Sequence, residues 1–481
     1  MMKLAPYPEY KDSGLPWLDK VPKGWRFFRG KNVFNPLDIR SETGTEELLS
    51  VSERQGVTPR KNVNVTMFQA ASYQGYKLCW PGDLVINSLW AWMQGLGFSK
   101  YHGIISTAYG VYRPKIGRVS DFRYFDYLLR STAYKWELRV RSKGIWRSRY
   151  QLKDDDFLAM PILVPGADEQ AQIARFLDWK TAQINKFIRN KRRLIELLKE
   201  QKQNVINQAV TRGVDPNVKL KPSGVEWIGD IPEHWDPRKL LYASSLIVDG
   251  THFSPENSET GDFLYITAKN IKECGVITEN ATYIKAEDHA PIYRRCPVMK
   301  GDILYIKDGA TAGIACVNQL ESEFSLLSSV ALIKPKKSAI MAEYLAHQLN
   351  CQLLKTFVLR NLVGGAMTRF TIDLIKRFPV ICPPINEQAD IVKHIHEQIA
   401  PIDQAITRAQ REIDLMCEYR TRLISDVVTG QVDVRGIGLP AEASAQAGAP
   451  EVAEEDLLAL DEDSADSDNG KNEETDVDDE E

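Results

Sequence analysis

The apolar positions of residues 168 to 215 fall on one helical face. Ile173, Leu177, Ile184, Ile188, Ile195, Leu198, Val205 and Ala209 follow one another at steps of three, four or seven. The same face returns 218 residues later as Ile391, Ile395, Ile402, Ile406, Ile413, Met416, Leu423 and Val427. Such a stripe needs a partner, and the pattern predicts that the two copies cover each other. Asp168 and Asn386 can cap the helix starts, and Gly213 and Gly430 follow the ends. Each helix should run for roughly forty residues, about 60 Å. Pro401, aligned with Gln183, is expected to kink or restart the second one.

Outside the helices the period shortens. Residues 83–86, 108–112, 302–306 and 330–333 are short apolar or aromatic runs bounded by Gly, Pro or Lys, which predicts strands. Helical stretches are expected at 121–136 and 341–359. Motifs recur here too: Ser13-Gly14 to Trp17, with Pro22 and Trp25, is answered by Ser223-Gly224 to Trp227, with Pro232 and Trp235. Gly82-Asp83 is answered by Gly301-Asp302, and Arg113-Pro114 by Lys334-Pro335. Pro161 to Pro165 leads into Glu169-Gln170, and Pro379 to Pro383 into Glu387-Gln388.

The predicted fold is therefore α+β. Two globular α/β modules alternate with two long helices that pair as an antiparallel coiled coil, in a pseudo-twofold tandem repeat. The first module takes residues 1–160, the first helix with its lead 161–215, the second module 216–378, the second helix 379–434, and a tail 435–481.

Charge changes this picture at the tail. The formal net charge is −4, but from residue 437 onward there are 17 Asp or Glu against one Lys, which leaves residues 1–436 with 60 basic and 48 acidic groups. A basic body suits a polyanionic partner. The tail has the composition of a disordered segment, and solvation is its simplest role. Seven cysteines without CxxC spacing read as scattered reduced thiols. With no run of eighteen apolar residues and no secretory start, the chain is expected in the cytoplasm.

Candidate chemistry gathers after the Gly-Asp strands. Asn87, Ser88, Trp90, Trp92, Gln94, Ser99, Lys100, Tyr101 and His102 follow the first, and Lys307, Asp308, Thr311 and Asn318 the second. Further candidates are Lys143, Arg147, Arg149, Thr251, His252, Lys269, Asn270, Thr368 and Arg369. Amide, hydroxyl and basic side chains can read base edges, and Lys or Arg can hold phosphates. Any one of them can equally be a packing residue, and Trp90 and Trp92 are expected in the core.

Catalytic readings find little support. Cys382-Pro383-Pro384-Ile385 lacks the polar head and aromatic end of an adenine methyltransferase motif, Gly95-Leu96-Gly97 is too short for a cofactor loop, and no Walker loop is present. Glu9-Tyr10-Lys11 and Glu200-Gln201-Lys202 read as solvated charge, and His252 is isolated. No carboxylate cluster for metal-assisted hydrolysis stands out.

The repeated helices with their Gln-bearing leads, and the Gly-Asp strands, closely resemble the specificity subunits of type I restriction-modification enzymes over about residues 10–434. The resemblance implies a non-catalytic DNA reader whose two target-recognition domains each take half of a bipartite, asymmetric site in double-stranded DNA. It implies two methyltransferase subunits and restriction/translocase subunits as partners. S-adenosylmethionine, ATP and Mg2+ would then act on those partners, with no cofactor on this chain. The rival reading is a coiled-coil adaptor that binds proteins.

Overall fold

The runs predicted as strands lie in two antiparallel four-stranded sheets of the computed structural model, which describes residues 4–53, 55–62, 72–145, 150–226, 228–360 and 370–440. The first sheet has the order Phe34–Leu37, Gly110–Pro114, Leu84–Ile86, Leu96–Phe98. The second has the order Ser244–Asp249, Val330–Pro335, Ile303–Ile306, Ala315–Val317. Both sheets place the strand after the Gly-Asp pair in the interior, where a continuous apolar run is needed because both faces are covered.

Two compact units make up the described chain. One is drawn from Met1–Lys191 with Arg411–Glu481, the other from Arg192–Gln410, so each long helix is divided between them. In the second unit alternation sorts the strands between two cores. Ile303, Tyr305, Ala331 and Ile333 join Ile206, Ala209, Val210, Ile391, Ile395 and Trp235 on the helix side. Leu304, Ile306, Val330 and Leu332 join Cys296 and Phe324 on the other. In the first unit Val85 and Val111 pack with Leu49, Val57, Cys79 and Ile105. There Phe34 lies edge-on to Phe125 at 6.2 Å, and Phe157 meets Tyr112 at 4.5 Å.

The stretch expected as helix over 121–136 is two helices, Phe122–Leu129 and Thr132–Arg141, because the Ser131 side chain caps the second at Tyr134 N. The stretch 341–359 divides likewise into Ala342–Asn350 and Gln352–Arg360, with Cys351 between them in an extended conformation. All seven cysteines are free. Among the described residues, no helix is long and apolar enough to cross a membrane.

The long helices are Ala167–Arg212, of 46 residues, and Ile385–Val428, of 44. Of their seam, Ile173, Leu177, Ile184, Ile188, Ile195, Ile391, Ile395, Ile402, Ile413 and Leu423 are buried, while Leu198, Val205, Ile406 and Met416 are half-buried. In the first unit Lys191 Nζ meets Glu412 Oε2 at 2.6 Å, and Arg420 Nη1 donates to Asn185 Oδ1 at 2.6 Å. One residue number falls as the other rises, so these segments run in opposite directions. In the second unit Lys202 Nζ meets Asp403 Oδ1 at 2.7 Å.

The expected restart at Pro401 does not occur. The helix continues through it, with Pro401 exposed, Ile402 buried and Asp403 paired to Lys202. A proline on the outer face leaves the Glu397 carbonyl, which it cannot bond, where water can reach, so the anchored flanks carry the helix past it.

The boundary of the tail also moves. Arg435, assigned to it from sequence, pairs with Asp433 at 2.6 Å and Glu169 at 3.7 Å, and Gln172 donates to the carbonyls of Val434 and Ile437. Asp433 N donates to Ala5 O at 2.8 Å, which ties this segment to the first residues of the chain. A local guanidinium-carboxylate network outweighs the acidic composition that begins immediately afterwards.

Candidate nucleic-acid interface

The repeated Gly-Asp pair builds a turn on which the candidate loops stand. Gly82 and Gly301 take φ of 88° and 86°, a left-handed conformation that favours glycine. Gly82 N donates to Ser99 O and Ser99 N returns to Asp83 O, both at 2.8 Å. Gly301 and Asn318 repeat the exchange with Asp302, again at 2.8 Å. The Asp83 carboxylate then accepts from Trp80 N and takes Arg113 in a fork at 2.8 and 2.9 Å. Asp302 accepts from Met299 N and pairs with Lys334 Nζ at 2.5 Å. The bond to Asp83 raises the Arg113 pKa further and fixes its charge.

The Gln of each helix lead is a second shared anchor. Buried Gln170 accepts from Ser120 N and donates to the carbonyls of Arg118 and Pro165. Gln388 accepts from Met341 N and donates to those of Ala339 and Pro383. Each amide thereby ties a long helix to the loop before the helix at Phe122 or Ala342.

Asn87, Ser88, Trp92 and Gln94 lie at the far end of the interior strand in the first unit and Lys307 and Thr311 in the second, whereas Lys100 and Tyr101 follow Ser99 at the Gly-Asp end. In the first unit, Asn87 is buried and donates from Nδ2 to Tyr109 Oη at 3.1 Å, and its Oδ1 has no hydrogen-bond partner among the described residues. Ser88 is buried, and its carbonyl accepts from Leu152 N. Gln94, buried at φ 59°, donates to Ser131 O and Leu129 O. Trp92 donates to Leu89 O, whereas Trp90 is 57% exposed. That corrects the expectation of a core Trp90: residues 87–95 form a hairpin whose tip leaves the sheet. Lys100 and Lys143 are exposed, the latter paired with Asp156 at 2.8 Å. Tyr101 packs beside the core of Val85 and Ile105.

In the second unit the Asp249 carboxylate gathers His252 at 3.1 Å, Arg295 at 3.4 Å and Lys307 at 3.6 Å. Lys307 is buried and also meets Asp308 at 2.8 Å. A buried ammonium needs such partners, so Lys307 fixes the loop rather than offering a free charge to a phosphate. Thr251 is buried and bonded to its own loop through Phe253 O, while Thr311 is exposed.

Two other candidates sit elsewhere in this unit. Buried Asn270 closes a short turn by accepting from Thr267 and donating to Ile277 O, with exposed Lys269 beside it. Arg147, Arg149, Thr368 and Arg369 lie outside the described residues. Arg295, which sequence reasoning missed, lies 46 positions from its carboxylate, a separation that no local motif reveals.

Residues 247–413 match the family model of the type I restriction modification DNA specificity domain. A chain from a structure on complex assembly and conformational transition of the type I R-M system is 16% identical, with 85% of this chain and 99% of that one covered at TM-score 0.63, a likeness of fold. The HsdS subunit from Thermoanaerobacter tengcongensis is 16% identical, with 85% and 96% covered at TM-score 0.45. The S subunit from M. genitalium is 12% identical, with 84% and 96% covered at 0.32. No curated protein matches the chain. Residues 247–413 thus carry the type I restriction modification DNA specificity domain, and the likeness of the rest of the chain is one of fold.

Proposed function

We propose that this chain is the non-catalytic specificity subunit of a type I restriction-modification complex, reading a bipartite, asymmetric site in double-stranded DNA in the cytoplasm. The observation that carries the reading is one sheet plan used twice with unlike loops. Both units root their loops on the same Gly-Asp turn and carboxylate-cation pair, yet 87–95 and 307–313 share no side-chain pattern. Equal frames with unequal tips suit two readers of two different half-sites.

The opposed helix segments in each unit support a single antiparallel spacer, and the length of that spacer sets the unread gap between half-sites. Two methyltransferase subunits dock on the assembly and bring S-adenosylmethionine. Restriction/translocase subunits bring ATP and Mg2+ chemistry. The basic body, with 60 Lys or Arg against 48 Asp or Glu over residues 1–436, supplies attraction to the phosphate backbone.

Replacing residues 26–160 with the first reader of another such subunit should change one half of the methylated motif and leave the other intact, as read by methylome sequencing. Changes in both halves, or in neither, would contradict two independent readers.

A further inference from the structure

The hairpin 87–95 carries an aromatic tip for which the fold itself has no use. Its base is rigid: Gln94 is the one non-glycine residue with positive φ among those described, and its buried amide is bonded to Ser131 and Leu129 carbonyls at 3.0 and 3.4 Å. Leu152 N closes on Ser88 O at 2.9 Å, and Trp92 Nε1 on Leu89 O at 3.1 Å. On this base stand Leu89, 44% exposed, and Trp90, 57% exposed. The Trp90 ring lies nearly parallel to that of Trp92, 6.3 Å between centroids and 16° between planes, and Trp92 meets Tyr150 edge-on at 5.9 Å. A left-handed backbone and bonded side chains thus hold a large apolar ring more than half in water, with the Trp92 ring along one side.

The surroundings say what covers it. The hairpin leaves the same end of its sheet as 307–313 does in the family-matched domain. Asn87, at the root of the hairpin, is 7% exposed, and its Oδ1 is an acceptor without a partner among the described residues. Lys143 is exposed on the bridge to Gln151, next to Tyr150, and pairs with Asp156 at 2.8 Å, while residues 1–436 are basic overall. A flat apolar ring and an unused acceptor on a body with a net positive charge fit a nucleobase on a phosphate backbone better than the apolar face of a protein. Aromatic side chains stack on bases, and apolar wedges unstack a base step in a duplex.

We propose that Trp90 stacks on one base of the half-site read by the first unit and unstacks that step, with Trp92 and Tyr150 backing the ring. The second unit has Asp308, Gly309, Ala310, Thr311 and Ala312 in the corresponding hairpin, so its half-site is read without a wedge. The assignment rests on the DNA-reading function proposed above.

The test uses the full chain assembled with its methyltransferase partner and a duplex of the mapped methylation motif, with 2-aminopurine replacing one base at a time. The wild-type complex should brighten one position, in the half-site that changes when residues 26–160 are exchanged. Trp90→Ala should abolish that signal and weaken binding about tenfold to a hundredfold, while Trp90→Tyr keeps most of both. Unchanged binding and fluorescence in Trp90→Ala, or equal loss in Trp90→Tyr, would overturn the wedge and leave the DNA reader standing. Failure of Trp90→Ala to retain the methyltransferase subunit would make the tip a protein interface and also overturn it. A wild-type complex with no sequence preference for any duplex would sink the functional reading and the wedge together.

Discussion

The hairpins 87–95 and 307–313 stand on matching foundations and end in opposite chemistry. Beneath them Asp83 with Arg113 repeats as Asp302 with Lys334, Gln170 repeats as Gln388, and Trp25 repeats as Trp235. Above them one tip is a pair of tryptophans and the other a Lys-Asp pair followed by small residues. The lesson is about where constraint resides. Side chains that satisfy buried backbone groups or fill a core admit few substitutes, whereas a loop rooted on them can change its tip at little cost to folding.

The strongest way to break this comparison is through Trp25 and Trp235, each fully buried with an indole N–H that has no partner among the described residues. Trp25→Ala and Trp235→Ala should each cost about 3–5 kcal/mol, read from urea midpoints of the full chain. A first-unit variant that melts like wild type would show that the repeat is one of sequence only.

A smaller effect should separate the units by pH. His347 packs against His396 with ring centroids 5.7 Å apart, and burial, then His396 and Lys202, hold its pKa down at about 4. The unfolded chain takes that proton near 6.5, so stability should fall as pH drops from 6.5 towards 4 and level off below. The loss is at most roughly 3 kcal/mol. In the first unit Tyr127 Oη donates to Asp178 at 2.9 Å, and burial raises the Asp178 pKa, which gives acid the opposite sign there. His347→Gln should flatten the pH dependence of the urea midpoint between 6.5 and 4; an unchanged slope would place the titrating group elsewhere.

The helix-ending glycines sharpen the comparison further. Both take φ 76°, so Gly213→Ala should cost about 1–2 kcal/mol from the left-handed backbone alone. A Cβ at Gly430 would also lie 2.3 Å from the Pro22 ring, whereas at Gly213 the nearest atom is Trp235 at 3.3 Å. Gly430→Ala should therefore lower the melting temperature more than Gly213→Ala, and the reverse order would deny the tighter packing.

Much of the frame was legible because it repeats with the period of its own secondary structure. The seam from Ile173 to Leu423 reads at helical spacing, and the strands at 84–86 and 303–306 read as apolar runs. The interface was less so. Gln94, Asn270 and Lys307 are polar loop residues like any reader, but in the fold they bond carbonyls, a turn and carboxylates. Trp90 erred the other way, since its apolar character argued for the core and the hairpin turned it outward. Residue type records a capacity to bond or to bury, and loops do not record which side the chain will present.

The sequence by itself determined the two long helices, the strand-forming runs and the doubled order of elements, because each depends on side-chain spacing along a few tens of residues. Only the tertiary structure decided that Asp249 would meet Arg295, that Arg435 would join the body, and that Pro401 would be carried through an unbroken helix. Those outcomes depend on charges and contacts supplied by distant segments, and no local spacing encodes the point at which two such segments meet.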